Sequence, residues 1–162
     1  MSVFFIADMH FGSASNAKWR KFQTPIEMDA AISKAWRERV RNSDTVWVLG
    51  DVGSLDSRGL PGKKHLIFGN DDKPKGVFKD SGIFASHANS RVHEFDHGAV
   101  LLIHNPKEAP NDGLPVVHGH THSKPDESDP RFVSVSVDKT DWGPISLDQV
   151  TQRLAARRNG EQ

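Results

Sequence analysis

Short apolar runs recur along the chain, and they are the strongest constraint on its fold. Six of them are four to six residues long and rich in β-branched or aromatic residues, which is typical of buried strands. They are Val3–Ala7, Thr45–Leu49, His65–Phe68, Val100–Ile103, Leu114–Val117 and Phe132–Val137. Two weaker strand candidates are Ile83–Ser86 and Arg91–Phe95. The runs are far shorter than the roughly 20 residues that a membrane-spanning helix requires.

Two segments carry helix-start signals. Thr24-Pro25-Ile26-Glu27 combines an N-cap hydroxyl, a proline at the first helical position and a glutamate three residues after the cap. Behind it, an apolar residue stands at every fourth position: Met28, Ile32, Trp36 and Val40. Ser146-Leu147-Asp148-Gln149 is a second capping box. The intervening segments Gly53–Lys64, Asn105–Gly113 and Ser123–Arg131 predict loops. Together these elements predict an α/β sheet sandwich covered by helices.

Composition narrows the class of protein further. The chain has 162 residues, which predicts one domain over residues 1–156 followed by a polar tail over 157–162. It has no cysteine, which excludes disulfides and thiolate metal sites. Lys+Arg and Asp+Glu are both 21, so no net charge favours nucleic acid or anionic lipid. We expect a soluble cytoplasmic protein with no membrane partner.

Residues able to ligate a metal follow five of the strong strands. The first run ends in Asp8-Met9-His10, and the second and third end in Gly50-Asp51 and Gly69-Asn70. The next two run into His104 and into His118-Gly119-His120-Thr121-His122. Because ligands collect at the carboxyl ends of strands in open α/β sheets, we expect these strand ends to converge on one site.

The ligand types favour a pair of transition metals. Carboxylate, imidazole and amide ligands together suit manganese, iron or zinc, with nickel or cobalt as further options, and we favour Mn²⁺. Seven ligands are available: Asp8, His10, Asp51, Asn70, His104, His120 and His122. If one carboxylate bridges, each ion receives four of them. Two divalent ions with two carboxylates leave about two positive charges, which favours an anionic substrate such as a phosphate ester.

Other polar residues have weaker support. His118 is equally well explained as a ligand or as a residue that orients one. Lys18, Arg20 and Lys21 beside Trp19 predict a solvated basic turn, with a grip on an extended substrate as the alternative. Four more histidines are predicted at the surface or as satisfied core residues: His65, His87, His93 and His97.

The order of these motifs resembles the calcineurin-like metallophosphoesterase superfamily. The series from Asp8 to His122 spans about two-thirds of the chain. Further features resemble a small bacterial and phage subfamily of predicted phosphoesterases. They are Asp8-Met9-His10-Phe11-Gly12, the helix start at Thr24 with Trp36, and Val137-Asp138 followed by Trp142, Pro144 and Ser146-Leu147.

The resemblance implies a four-layer α/β/β/α sandwich with a two-metal centre. The first ion would be held by Asp8, His10 and His122, and the second by Asn70, His104 and His120. Asp51 would bridge the two ions. A hydroxide shared by the ions would attack phosphorus in line with the leaving oxygen. Asn70 and the second ion, which His120 ligates, would help to stabilise the charge that develops.

One position departs from the family pattern. The family usually has a histidine after the Gly-Asn pair, and this chain has Asp71, followed by Asp72. Ionised Asp71 would repel a phosphate dianion and donates a proton only if its pKa is raised. We therefore expect phosphodiesters with good leaving groups to be hydrolysed faster than alkyl monoesters. Replacing Asp71 with histidine is expected to raise monoesterase activity.

Two other functions are compatible with the sequence. A nuclease is the first alternative, although no basic stripe or aromatic array supports nucleic-acid binding. A catalytically silent interaction scaffold is the second, although all seven ligands are present. The substrate, the native metal and the oligomeric state are left open by the sequence.

Overall fold

The computed structural model describes residues 1–54, 59–96, 98–125 and 127–160. The predictions for His97, for parts of the loops 53–64 and 123–131, and for the last two tail residues lie outside this range. The strands are β1 (Val3–Ile6), β2 (Thr45–Val48), β3 (Lys63–Ile67), β4 (Phe84–Ala88), β5 (Ser90–Phe95), β6 (Gly98–Ile103), β7 (Val116–His118), β8 (Phe132–Ser134) and β9 (Ile145–Ser146). The helices are α1 (Ala14–Trp19), α2 (Pro25–Arg39), α3 (Lys75–Lys79) and α4 (Leu147–Arg158).

The strands form two sheets in which most neighbours are parallel. The first has the order β4-β3-β2-β1-β9, and only β9 runs antiparallel to its neighbour. The second has the order β5-β6-β7-β8, and β5 is its antiparallel edge strand. Each of the eight predicted strands overlaps one of these strands.

The two predicted helices begin at their predicted caps. The Thr24 hydroxyl accepts a hydrogen bond from the Glu27 amide, and Ser146 and Gln149 form a complete capping box. Met28, Ile32 and Trp36 are the buried residues of α2 and pack on the outer face of the first sheet. The α4 helix continues through Arg158, two residues into the segment predicted as a tail.

The expected four-layer α/β/β/α sandwich is wrong. A second core cluster fills the space between the sheets, and Val150 and Leu154 of α4 join it beside β1, β8 and β9. The α4 helix therefore packs where the two sheets meet. The outer face of the second sheet buries a small cluster of Leu101, Ile103, Val116 and Phe132, and no α-helix in the described ranges contributes to it. The described residues form two stacked, mainly parallel sheets with four α-helices.

The physical reason is a shortage of long helices. The α1 and α3 helices have six and five residues, so only α2 and α4 can cover a sheet. Because α2 covers the outer face of the first sheet and α4 packs at the junction of the two sheets, no other helix among the described residues is long enough to form a fourth layer. Within the described ranges, no helix is both long and apolar enough to span a lipid bilayer.

Candidate metal centre

The carboxyl ends of the strands meet at one edge of the molecule. In the first sheet, the Asp8 amide donates to the Gly50 carbonyl and the His10 amide donates to the Asp51 carbonyl. In the second sheet, the Gly119 amide donates to the carbonyl of His104. Between the sheets, the His120 amide donates to Oδ1 of Asp8 at 2.9 Å. These bonds join the ends of β1, β2, β6 and β7.

All seven predicted ligands lie at this edge, in two groups. The ligand atoms of Asp8, His10 and His122 lie within 4.8 Å of one another. The same holds for Asp51, His104 and His120. Asn70 belongs to the second group, because its Oδ1 lies 3.0 Å from Nε2 of His104 and 2.9 Å from Nδ1 of His120.

Asp51 lies between the two groups. Its Oδ2 is 3.3 Å from Nε2 of His104 in one group and 3.6 Å from Nε2 of His10 in the other. Its Oδ1 is occupied, because it accepts a hydrogen bond from the Asp71 amide at 2.9 Å. One carboxylate oxygen therefore holds a loop while the other faces both groups.

Two potential metal-ligating atoms of the site are buried without a hydrogen bond. Oδ2 of Asp8 and Nε2 of His10 have no hydrogen-bond partner among the described residues. Burying such atoms without a partner is costly. Nδ1 of His104 lies 2.8 Å from the Leu49 carbonyl, which can only accept, so Nδ1 carries the proton and Nε2 faces the site. Lone-pair donors of two carboxylates and several imidazoles therefore fit a transition-metal cation.

The backbone at the strand ends is strained. Five of the seven predicted ligands have positive φ: Asp8 (58°), His10 (49°), Asp51 (54°), His120 (70°) and His122 (50°). Non-glycine residues rarely adopt this region, and such strain clusters at functional sites. The surrounding hydrogen bonds hold these residues in the strained backbone conformation.

Glycines allow the strand ends to approach closely. A Cβ at Gly50 would overlap the His104 imidazole and the Gly69 backbone, and a Cβ at Gly69 would overlap the Asp51 carboxylate. Gly50 also has a φ of 88°. The Gly-Asp and Gly-Asn pairs noted in the sequence therefore have a steric reason.

Burial and contacts within the site shift the pKa values of its titratable groups. Burial opposes charge on His104, but the hydrogen bond and the negative charge of Asp51 outweigh it and raise the pKa of His104 to about 9. Burial would raise the pKa of Asp51, but His104 lowers it. Burial lowers the pKa of His10 and of His120. These shifts favour a charged His104 beside an ionised Asp51.

Asp71 and Asp72 take different positions. The Asp71 side chain is 59% exposed, and its Oδ2 lies 3.8 Å from Nδ1 of His10. Asp71 also forms a third possible ligand group with His10 and Asp51. Asp72 is fully buried and accepts the amides of Asp51, Val52 and Gly69 at 2.8–3.0 Å. Asp72 thus links the ends of β2 and β3.

Asp138 and Arg20 belong to the site and were missed as site residues in the sequence. Oδ2 of Asp138 lies 2.8 Å from Nδ1 of His122, and Arg20 donates to both Asp138 oxygens and to the carbonyls of Asp8 and Met9. The prediction that Arg20 lies in a solvated turn is wrong, because its side chain is buried. Asp138 carried the same signal as the predicted ligands, since it directly follows the apolar run Phe132–Val137.

The other histidines that the structure describes lie outside the two groups. His118 is buried, its Nδ1 lies 2.8 Å from the Gly119 carbonyl, and its ring contacts Phe132 on the second sheet. His87 is exposed, and His65 and His93 are partly buried against Trp47. A cavity of about 660 Å³ lies beside α4, and none of the seven predicted ligands lines it.

Comparisons with known proteins give relatives over nearly the whole chain. The Gene 66 protein of Mycobacterium phage D29 is 31% identical and aligns over 94% of this chain and 96% of its own length. The Gene 66 protein of Mycobacterium phage L5 is 30% identical over 75% of this chain and 78% of its own. The uncharacterized protein MJ1445 of Methanocaldococcus jannaschii is 29% identical over 94% of this chain and 90% of its own length. No protein-family model matches the chain.

A solved structure has the same fold. A protein of unknown function from Aquifex aeolicus, AQ665, superposes with a TM-score of 0.78 over 93% of this chain and 98% of its own. The two sequences are 22% identical, so this likeness concerns the fold alone. The two phage relatives share 30% identity or more over at least three-quarters of both chains, and this chain belongs to the family of the mycobacteriophage Gene 66 proteins.

Proposed function

We propose that this protein is a metal-dependent phosphoester hydrolase with two divalent cations. The observation that carries the proposal is the position of Asp51, whose Oδ2 faces His104 of one ligand group and His10 of the other. A single carboxylate oxygen between two groups of lone-pair donors suits a bridging ligand. The membership in the calcineurin-like metallophosphoesterases that the motifs suggest is part of this proposal.

The ligands divide between two ions. Asp8, His10 and His122 would hold the first, and Asn70, His104 and His120 the second, with Asp51 shared. Mn²⁺ is the ion we favour, and iron, zinc, nickel and cobalt suit the same donors. His104 must lose the proton that Asp51 stabilises before it can ligate, so binding of the second ion should release a proton.

The charge of the site selects an anion. Two divalent ions with Asp8 and Asp51 retain about two positive charges, and ionised Asp71 would reduce this to about one. A phosphodiester carries one negative charge at neutral pH, whereas a phosphomonoester carries close to two. The exposed Asp71 carboxylate at the rim therefore favours the diester.

The ions would supply Lewis acidity, which makes a water-derived nucleophile available near neutral pH and neutralises charge on the phosphoryl group. The protein's own residues position the ligands and the substrate. Asp72 and Gly69 fix Asp51 against the end of β3, and Asp138 orients His122. Asn70 is exposed, and its side-chain NH₂ group, which donates to Oδ1 of Asp71, would be the donor to a phosphoryl oxygen of the substrate. Asp51, Asn70, Asp71 and His120 are the residues we expect to act on the reacting group.

The test combines metal counting with a phosphoester panel. Protein stripped by a chelator and reloaded with Mn²⁺ should bind about two ions per chain by elemental analysis. It should hydrolyse bis(p-nitrophenyl) phosphate faster than an alkyl monoester. Asp51→Asn should lower the hydrolysis rate at least about a hundredfold, because it removes the charge shared by both ions.

Asp80→Asn is the matched control, because Asp80 is an exposed acid at the end of α3. It should keep wild-type metal content and activity. Hydrolysis that survives Asp51→Asn, or protein that retains no Mn²⁺, would contradict the proposed function. A faster reaction on the alkyl monoester would contradict only the role given to Asp71.

A further inference from the structure

Trp19 is a large apolar side chain that stays exposed beside the proposed metal centre. It is 53% exposed at the end of α1, and its ring contacts the His122 ring at 5.5 Å with an interplanar angle of 82°. The His122 ring is also stacked on the His10 ring, with the centroids 5.2 Å apart. Three rings thus form a series from the surface to the buried ligand groups.

The backbone holds Trp19 in this place. The next residue, Arg20, is buried and anchored to Asp138 and to the Asp8 and Met9 carbonyls. The Ser13 side chain caps the start of α1. A side chain attached to such an anchored backbone loses little freedom when a ligand packs against it, which favours recognition by stacking.

We propose that Trp19 forms a stacking subsite for a planar group of the phosphoester substrate. This inference rests on the proposed function, since the phosphoryl group would sit at the metal centre next to His122. An exposed tryptophan offers an aromatic face to an aryl ring or a nucleobase. The exposed cations Lys18 and Lys21 flank it and would attract the anionic part of the substrate.

The distance between the planar ring and the phosphorus atom distinguishes an aryl leaving group from a nucleobase. An aryl leaving group carries its ring next to the ester oxygen, whereas a nucleobase lies beyond a sugar. Binding of phosphonates, which the enzyme cannot hydrolyse, separates the two. Phenylphosphonate carries the ring close to phosphorus, the phosphonate analogue of adenosine monophosphate carries it farther away, and methylphosphonate has no ring.

The test measures the dissociation constants of these three probes by calorimetry on Mn²⁺-loaded protein. We expect a ring-bearing probe to bind about tenfold more tightly than methylphosphonate. Trp19→Ala should abolish that preference and leave methylphosphonate binding unchanged, and Trp19→Phe should retain most of it. Val92→Ala, which alters a side chain of 52% exposure on β5, is the matched control and should keep the preference.

Each outcome has one meaning. An unchanged ring preference in Trp19→Ala overturns the subsite, and so does an equal loss of affinity for all three probes, because Trp19 would then only position His122. Wild-type protein that binds no methylphosphonate contradicts the proposed function itself. Whichever ring-bearing probe binds more tightly identifies the aryl or the nucleoside class.

Discussion

Asp138 and His122 are joined by a short contact between Oδ2 of the carboxylate and Nδ1 of the imidazole, at 2.8 Å. A carboxylate can only accept, so Nδ1 of His122 carries the proton and Nε2 is left as its ligating nitrogen. Burial opposes the charge on Asp138, but hydrogen bonds from His122 and Arg20 lower the pKa of Asp138 to about 2. Asp138 is therefore ionised at neutral pH and fixes the orientation of one predicted ligand.

Asp138→Asn should weaken Mn²⁺ binding about tenfold or more, because the amide no longer fixes the His122 tautomer. It should also lower the free energy of unfolding by about 3 kcal/mol, because buried Arg20 loses its counter-ion. Calorimetric titration with Mn²⁺ and denaturant unfolding measure the two effects.

The control for this variant is Asp129→Asn. Asp129 pairs with Arg131 in a more exposed contact, so its loss should cost less than about 1 kcal/mol and leave Mn²⁺ affinity unchanged. Equal effects of the two substitutions would show that the Asp138 contact has no special role.

Asp72→Asn should destabilise the protein by about 2 kcal/mol. The Asp72 carboxylate accepts hydrogen bonds from three backbone amides. In asparagine, the NH₂ group replaces one of the two oxygens, so at least one of these amides would face another hydrogen-bond donor. Asp71→Asn is the matched control in the adjacent position, where the side chain is exposed, and should stay within about 0.5 kcal/mol of wild type. Thermal unfolding compares them, and similar melting temperatures would contradict the role given to Asp72.

Much of the local structure was predictable because it depends on local chemistry. The apolar runs located the strands, and the hydroxyl caps at Thr24 and Ser146 located the two long helices. The grouping of the seven predicted ligands also followed from their place after parallel strands. The sequence pattern missed α1, α3 and β9, which are two to six residues long and too short to show a period.

The layer arrangement and the supporting residues depend on distant contacts. The pattern of α4 indicates an inner face but not that this face packs against both β8 of one sheet and β9 of the other. The local sequence predicts a surface position for Arg20, because its partner Asp138 lies 118 residues away in the chain. No role for Asp72 follows from the sequence pattern, because the amides of Asp51 and Val52 that donate to it lie 21 and 20 residues away in the chain. Such partners leave no signal at the position itself.

Gly69→Ala should disrupt the centre through a steric clash. A Cβ at this position would overlap the Asp51 carboxylate and its backbone nitrogen, so the ends of β2 and β3 must separate. We expect a loss of about 2 kcal/mol in stability and at least a tenfold loss in Mn²⁺ affinity. Gly76→Ala in α3 meets nothing closer than 3.9 Å and should be neutral or slightly stabilising. Unchanged Mn²⁺ affinity in Gly69→Ala would contradict the close approach.

His65 should contribute stability at neutral pH that is lost as the pH falls through the histidine range. His65 stacks on Trp47 at 4.7 Å, and its Nδ1 lies 2.7 Å from the Ser86 hydroxyl. Burial lowers the pKa of His65, and the charges of Lys63 and Arg91 add to the effect.

A lowered pKa in the folded state means that the unfolded chain takes up the proton first as the pH falls. The contribution of His65 is therefore complete above its unfolded pKa of about 6.5 and is lost between that pH and the lower folded value. His65→Gln removes the titrating group, so the difference in unfolding free energy between wild type and variant should narrow from about pH 8 to about pH 5.5. Urea unfolding at the two pH values measures this difference. A gap that stays constant or widens at the lower pH would mean that folding does not disfavour the charged form of His65.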